Sequence, residues 1–177
     1  MSIHPMDTKE LSPVALSNLY TMGIASQVDP RQAIPSRYVM PDLATRKLRA
    51  QLILEEAEET INALGFGISL DGDEKPIVVS EYVGSMEGAI DGCADLIYVA
   101  VGTLCAMGVP DERHLKEVCR ANNDKFPQGK ATVNENGKFG KPPGWRGPEH
   151  IPLMHYPHVN LAEIAAKLIA EKIGDGK

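Results

Sequence analysis

The sequence predicts an all-α fold, a bundle of four to five helices followed by a loop region rich in Gly, Pro and Lys. Three observations carry this. Apolar residues recur at helical spacing over long segments, helix caps or Gly and Pro mark the breaks, and only one short β-prone run, Ile77-Val78-Val79, intervenes. A chain of 177 residues can bury one good core. We read residues 1–177 as a single domain, its core over about 12–146 and an extension over about 147–177 that ends in a helix.

Ser12-Pro13 starts the first helix with a side-chain cap and a proline at the first helical position, and the helix should run to about Met22. Residues Asp29 to Pro41 hold three prolines and two arginines and form a loop. Asp42 caps a second helix that continues to about Leu64 and stops at Gly65. Across residues 66–84, Asp71-Gly72 beside Ile77-Val78-Val79 predicts a small hairpin or loop. A third, long helix runs from about Ser85 to Met107 and is closed by Gly108. A fourth covers roughly Asp111 to Asn122. From Phe126 to Pro157 the composition turns to Gly, Pro, Lys and Asn, an ordered loop or small hairpin with Asn136-Gly137 as its turn. Val159 to Ile173 then makes a terminal amphipathic helix.

Composition narrows the function. Hydrophobic content of 43% and charged content of 24% are ordinary for a globular protein. The net charge of −6 speaks against a surface that coats nucleic acid and leaves a nucleotide substrate open. Three cysteines without a CxxC pair suit a reducing compartment. The N-terminus shows no basic segment followed by an apolar core, so a cytoplasmic protein is expected. The uncharged run Leu96 to Pro110 is too short to span a bilayer; a buried core helix and no membrane partner are expected.

Two acidic clusters are the most informative feature: Glu55-Glu56-Ala57-Glu58-Glu59 on the second helix and Asp91-Gly92-Cys93-Ala94-Asp95 on the third. On the second helix Ile53, Leu54, Ala57, Ile61 and Leu64 share one arc, while Glu55, Glu56 and Glu59 share the opposite arc with Leu48 and Leu52. Glu58 falls off the arc and reads as surface. On the third helix Glu87, Asp91 and Asp95 recur every four residues amid apolar neighbours. Such a helix should be surrounded on all sides, which one small chain can rarely do, so a homodimer or homotetramer is expected. Buried carboxylates need a neutralising cation. An all-oxygen donor set from two helices suits Mg²⁺ or Mn²⁺, and points to an enzyme acting on a phosphorylated substrate. The alternative for the glutamates is a solvated helix face. Glu-x-x-His, His-Asp, H-E-x-x-H, P-loop and G-x-G-x-x-G signatures are all absent, and His4, His114, His150, His155 and His158 are scattered.

Glu55-Glu56-x-x-Glu59, followed some thirty residues on by an acidic pair before Leu-Ile-Tyr-Val, resembles the MazG-like nucleotide pyrophosphohydrolases. Arg49-x-x-Leu52-Ile53-x-Glu55-Glu56, Asp91-x-x-Ala94-Asp95-Leu96-Ile97-Tyr98-Val99 with Gly102, Asn122-x-x-Lys125 and Asn136-Gly137-Lys138-x-x-Lys141 look like the phosphoribosyl-ATP-pyrophosphatase-like branch. The likeness covers roughly residues 14–146. One departure stands out: many members carry Glu-x-x-Asp in the second motif, and here the position three before Asp95 is Gly92, with Asp91 one turn back.

The resemblance implies a MazG-like helical bundle and hydrolysis of a nucleoside triphosphate between the α and β phosphates. It implies Mg²⁺ or Mn²⁺ held by Glu56, Glu59, Asp91 and Asp95, with Glu87 either an outer ligand or a surface residue. Glu55 or another free carboxylate would act as the base, while Lys125, Lys138, Lys141 and Arg49 would hold the phosphates. Asn122 is either a substrate contact or a helix C-cap, and Lys138 and Lys141 either contacts or ordinary loop lysines. The resemblance places the base near Asn18, Tyr20, Met22 and Gln27. Trp145, the only tryptophan, stacks on a base or packs the Pro-rich loop. Phage members of this branch, the MazZ type, remove dGTP or GTP, which suggests that substrate and nucleotide-pool control in a bacterial or phage-infected cell. Phosphoribosyl-ATP pyrophosphatase, made less attractive by the long segment past Pro142, and a non-catalytic helical assembly protein are the competing functions.

Overall fold

The computed structural model describes residues 9–73, 76–133, 137–155 and 158–174 and is mostly helical. Helix α1 (Pro13–Ala25) is opened by Ser12, whose hydroxyl accepts the Ala15 N–H at 3.1 Å. A 3₁₀ turn (Pro30–Gln32) follows, capped by Asp29. Helix α2 (Leu43–Ala63) starts at Asp42, which accepts from the Thr45 N–H at 2.8 Å. It ends at Gly65 with φ of 93°, where a Cβ would stand 2.3 Å from the Tyr82 carbonyl oxygen. The hairpin β1 (Gly67–Leu70) and β2 (Pro76–Val79) pairs antiparallel, Gly67 against Val79 and Leu70 against Pro76. Helix α3 (Met86–Ala106), capped by Ser85, runs into α4 (Asp111–Asn123) through Gly108.

A second 3₁₀ turn (Pro127–Gly129) and the short helix α5 (His150–Met154) lie in the stretch the sequence marks as loop. Five residues that include Pro152 are too few to show a helical period. Val133 bridges Phe139 across the expected turn; Gly137 has φ of 73°, and Asn136 lies outside the described residues. Helix α6 (Leu161–Gly174) closes the described chain.

The core lies where α1, the C-terminal half of α3 and α6 meet. Ala15, Leu19 and Met22 pack with Val101, Cys105 and Ala106 and with Leu161, Ile164 and Ala165. The terminal helix is thus a structural member of the domain. At Gly23 a Cβ would stand 2.7 Å from Ile169 Cδ1, so this glycine sets how closely α1 and α6 approach. Burial pushes the Cys105 thiol up to about 12, and no disulfide forms among Cys93, Cys105 and Cys119.

Helices α2 and α3 form the most extensive helix pair, and they pack unlike the sequence expectation. The buried stripe of α2 is polar, Thr45, Arg49 and Thr60, with Leu52 and Glu56 half-buried beside them. Leu54 and Leu64 of the apolar arc are 62% and 54% exposed. The reason lies on the neighbouring helix. Gly88 and Gly92 leave room for α2, and a Cβ at Gly92 would stand 2.7 Å from Thr60 Oγ1 and 3.0 Å from its Cα. The Thr60 hydroxyl donates to the Glu56 carbonyl at 2.6 Å, so the close approach strands no polar group there.

Helix α3 is not enclosed on all sides within one chain: Met86, Ile90 and Ile97 are exposed. By length and composition α3 could cross a membrane. It packs on α1 and α2 and carries Glu87, Asp91 and Asp95 along its length.

Candidate active site

A cavity of about 420 Å³ opens between α1, α2 and α3. Asn18, Thr21 and Met22 of α1 form one wall, and Arg49, Leu52 and Glu56 of α2 another. Asp95 and Tyr98 of α3 and Gln32 of the 3₁₀ turn complete it. Its size is that of a small-molecule site.

Asn18 is buried, and its amide N–H groups donate to the carbonyls of Val14 at 3.1 Å and Tyr98 at 3.0 Å. That fixes the amide, with Oδ1 beside Gly102, where a Cβ would come within 2.5 Å of it. The Thr21 hydroxyl donates to the Ser17 carbonyl and so accepts the Tyr98 phenol, 2.9 Å away. Arg49 is 6% exposed and donates through Nη2 to Gln32 Oε1 at 2.5 Å, while its Nε has no partner. Burial holds its pKa below the usual arginine value. A buried guanidinium satisfied by one neutral amide is prepared for an anion.

Glu56 and Asp95 face this cavity. The Glu56 carboxyl is held above its ordinary pKa, first by burial and then by Glu59, Asp95, Glu55 and Asp91. Four acids of the two clusters thus lie near enough to act on the Glu56 charge, while only Glu56 and Asp95 line the cavity itself. Among the described residues no three His, Cys, Asp or Glu side chains stand close enough to hold a metal ion. The donor set is nonetheless all oxygen, and the charge crowding at Glu56 is what a hard divalent cation relieves, so the residues fit Mg²⁺ or Mn²⁺. Asp91 and Glu87 line a separate shallow hollow at the start of α3. Gly92 has no room for a side chain as α2 and α3 sit, because Thr60 occupies that space.

The C-terminal candidates sit elsewhere in the chain. Asn122 donates to the Val118 carbonyl at 3.0 Å and accepts from Lys125 Nζ at 2.8 Å, so its amide positions Lys125. Lys125 and Lys141 lie 5.6 and 4.6 Å from the Trp145 ring centroid, and Lys138 is exposed. Asn122, Lys125, Lys138 and Lys141 do not line the cavity. Of the residues expected near a base, Asn18 and Met22 do line it. Tyr20 and Gln27 do not: Tyr20 carries the Lys172 ammonium 4.1 Å over its ring, on the α6 side, and Gln27 is exposed. Gln32, Thr21 and the Tyr98 hydroxyl are site groups the sequence did not single out; only the Pro-Arg-Gln turn beside a capping Asp29 hinted at an ordered loop there.

A buried guanidinium and two of the clustered carboxylates thus meet at one cavity of an all-α bundle. Residues 26–122 match the phosphoribosyl-ATP pyrophosphohydrolase family (PRA-PH), whereas no individual curated protein matches the chain. The protein belongs to that family, within the MazG-like NTP pyrophosphatase superfamily, and is an enzyme of acid anhydrides, a nucleotide pyrophosphohydrolase. The match holds Arg49 and every clustered carboxylate. It leaves out α1, α6, Trp145 and the three C-terminal lysines.

Proposed function

We propose that the enzyme is a divalent-metal-dependent pyrophosphohydrolase of nucleoside triphosphates, converting (d)NTP and water to (d)NMP and pyrophosphate. Guanine nucleotides are the leading candidates, and nucleotide-pool control in a bacterial or phage-infected cytoplasm is the setting. One observation supports a substrate other than that of the family's namesake. A wall of the cavity, Asn18, Thr21 and Met22, comes from α1, which lies outside the family match and is held by α6, also outside it.

Mg²⁺ or Mn²⁺ bound by Glu56, Glu59, Asp91 and Asp95 would supply neutralisation of phosphate oxygens and a water of lowered pKa. The remaining work falls to the chain. Glu55 takes the proton as water adds to the α-phosphorus and the α–β anhydride bond breaks. Arg49 offers its unsatisfied guanidinium edge to a phosphate oxygen, which suits its burial without a carboxylate partner. The family resemblance assigns the departing pyrophosphate to Lys125, Lys138 and Lys141, which lie outside the cavity lining. Gln32, whose amide oxygen is held by Arg49, offers its amide N–H groups to the base, while Asn18, its own amide bound to the Val14 and Tyr98 carbonyls, shapes the wall the base meets.

Phosphoribosyl-ATP hydrolysis is the second reading, because the family match itself favours it. Pyrophosphate release from dGTP, GTP, the other common nucleotides and phosphoribosyl-ATP, each with Mg²⁺ and with Mn²⁺, decides between them. We expect a triphosphate to be used at least about tenfold better than phosphoribosyl-ATP, a difference of about 1.4 kcal/mol in transition-state stabilisation. The reverse ranking assigns the namesake activity.

Self-association belongs to the same proposal. Met86, Ile90 and Ile97 of α3 and Leu43 and Leu54 of α2 lie exposed on the helices that carry the carboxylates. Light scattering at micromolar concentration should report a homodimer or homotetramer; a 19.2 kDa particle refutes this part.

A further inference from the structure

The Trp145 indole is held in place from two directions. Its Nε1–H donates at 2.6 Å to the Ala121 carbonyl, in the last turn of α4, where helix carbonyls lack intrahelical partners. Its own backbone N–H closes a turn onto the Pro142 carbonyl at 3.0 Å, with Gly144 at φ of 77° as the third residue. Pro143 followed by glycine in the left-handed region is the sequence such a turn requires. The result is a rigid aromatic plate at the end of α4.

Two ammonium groups reach this plate. Lys125 Nζ lies 5.6 Å and Lys141 Nζ 4.6 Å from the ring centroid, and Asn122 Oδ1 holds Lys125 at 2.8 Å. Neither lysine forms an ion pair with a carboxylate among the described residues. The nearby guanidiniums do: Arg120 is bound to Glu117 and Asp124, and Arg146 to Glu149. The aromatic ring attracts each ammonium, so both long side chains are tied to one indole while their charge stays uncompensated. An oxyanion with several phosphate oxygens can bridge two ammonium groups tied to one ring.

We infer that Trp145 is a positioning residue that assembles Lys125 and Lys141 into a docking subsite for a pyrophosphate-type oxyanion. The subsite rests on the proposed nucleotide pyrophosphohydrolase reading for its place in the reaction. Its ligand is either the β,γ-phosphates of the substrate or the released pyrophosphate. The platform requires the aromatic face; the indole N–H only fixes the ring.

Because Trp145 is the only tryptophan, its emission reports on the subsite directly. Inorganic pyrophosphate, titrated at constant ionic strength against a sodium chloride control, should change the emission saturably. Lys125→Ala and Lys141→Ala should each weaken that response about tenfold or more. A silent wild-type tryptophan, or a response that survives both substitutions, overturns the inference. Kinetics on the preferred nucleotide give the second arm. Trp145→Leu should lower kcat/KM about tenfold, and Trp145→Phe, which keeps the face and loses the N–H, should recover most of it. A loss carried by KM assigns the subsite to bound substrate. A loss carried by kcat, with tight pyrophosphate inhibition weakened, assigns it to the leaving group. Equal losses in Phe and Leu variants reduce Trp145 to its hydrogen bond and reject the platform. A responsive tryptophan in a protein that hydrolyses no nucleotide preserves the subsite and sinks the proposed function; turnover beside a silent tryptophan does the opposite.

Discussion

The α1–α6 and α2–α3 helix pairs bury opposite kinds of surface. Where α1 meets α6, the contact is apolar and closed, built from Ala15, Leu19, Met22, Leu161, Ile164 and Ala165. Where α2 meets α3, the interior is Thr45, Arg49, Thr60 and Gly92, and the large apolar side chains Leu54, Ile90 and Ile97 face out. The first arrangement is what hydrophobic burial favours. The second departs from it in order to set a guanidinium and a carboxylate cluster on one cavity. The difference separates the apolar part of the fold from the part that carries the proposed chemistry, and they meet at the Asn18–Met22 face of α1.

The largest effect that tests this division is on activity. Asp95 faces the cavity and raises the Glu56 pKa, so Asp95→Ala removes both a proposed metal contact and a source of repulsion. Nucleotide hydrolysis should fall by at least about a thousandfold, roughly 4 kcal/mol of transition-state stabilisation. The melting temperature of the metal-free protein should hold or rise. Mg²⁺ should raise the melting temperature of the wild type and leave that of the variant unmoved, because a ligand that binds only the folded state adds stability. A wild type indifferent to EDTA in both activity and melting breaks the metal reading.

The converse substitution belongs in the other pair. Leu161 is fully buried in the apolar core, so Leu161→Ala should cost about 2–5 kcal/mol in denaturant unfolding. The folded fraction should keep its kcat within a few-fold while KM rises, because α1 carries cavity residues and none of the clustered acids. Should Leu161→Ala and Asp95→Ala lower stability alike, the division is wrong and α2–α3 holds the fold as well.

Much of the helix plan was legible because caps are local. Ser12, Asp42 and Ser85 each announce a helix within one residue of where it begins, and Gly65 and Gly108 end two of them in the left-handed region. The acidic clusters were legible as a pattern, but the burial expected of them is not found. Glu55, Glu59, Asp91 and Asp95 are exposed and only Glu56 is half-buried, because the α2 face that turns inward is the Thr45, Arg49 and Thr60 stripe. What escaped depends on a neighbour that lies far along the chain. The polar stripe of α2 turns inward only because Gly88 and Gly92 of α3 let it, and nothing in the α2 sequence records that. Gln32 becomes a site residue only through its bond to Arg49, 17 positions away. Helix α5 is too short to carry a period, and it is held by contacts with α4.

Those α4–α5 contacts supply the smallest effect, a pH dependence that neither helix pair should share. His114 of α4 is buried, and its Nδ1 lies 3.1 Å from Nδ1 of His150 on α5, so one ring donates and the other must accept. Burial, then His150, then Arg113 hold the His114 pKa below the ordinary value of 6.5, with Glu10 pulling the other way. Glu117 lies on the His150 side, and its own carboxyl is drawn down to about 2 by Arg120 and the Glu149 N–H. The unfolded chain therefore takes up the His114 proton at a higher pH than the folded one. The stability His114 contributes is fully present above pH 6.5 and is lost as pH falls from there through the lower folded value. Wild-type melting temperature should decline over that interval, and His114→Gln should flatten the decline, since an amide keeps a polar contact but does not titrate. The carboxylate cluster should respond to metal and not to this substitution, so Mg²⁺ stabilisation of His114→Gln should equal that of the wild type. A profile unchanged by the substitution would place the acid sensitivity elsewhere, and a lost response to Mg²⁺ would mean that α4 and the α2–α3 site are coupled within the folded protein.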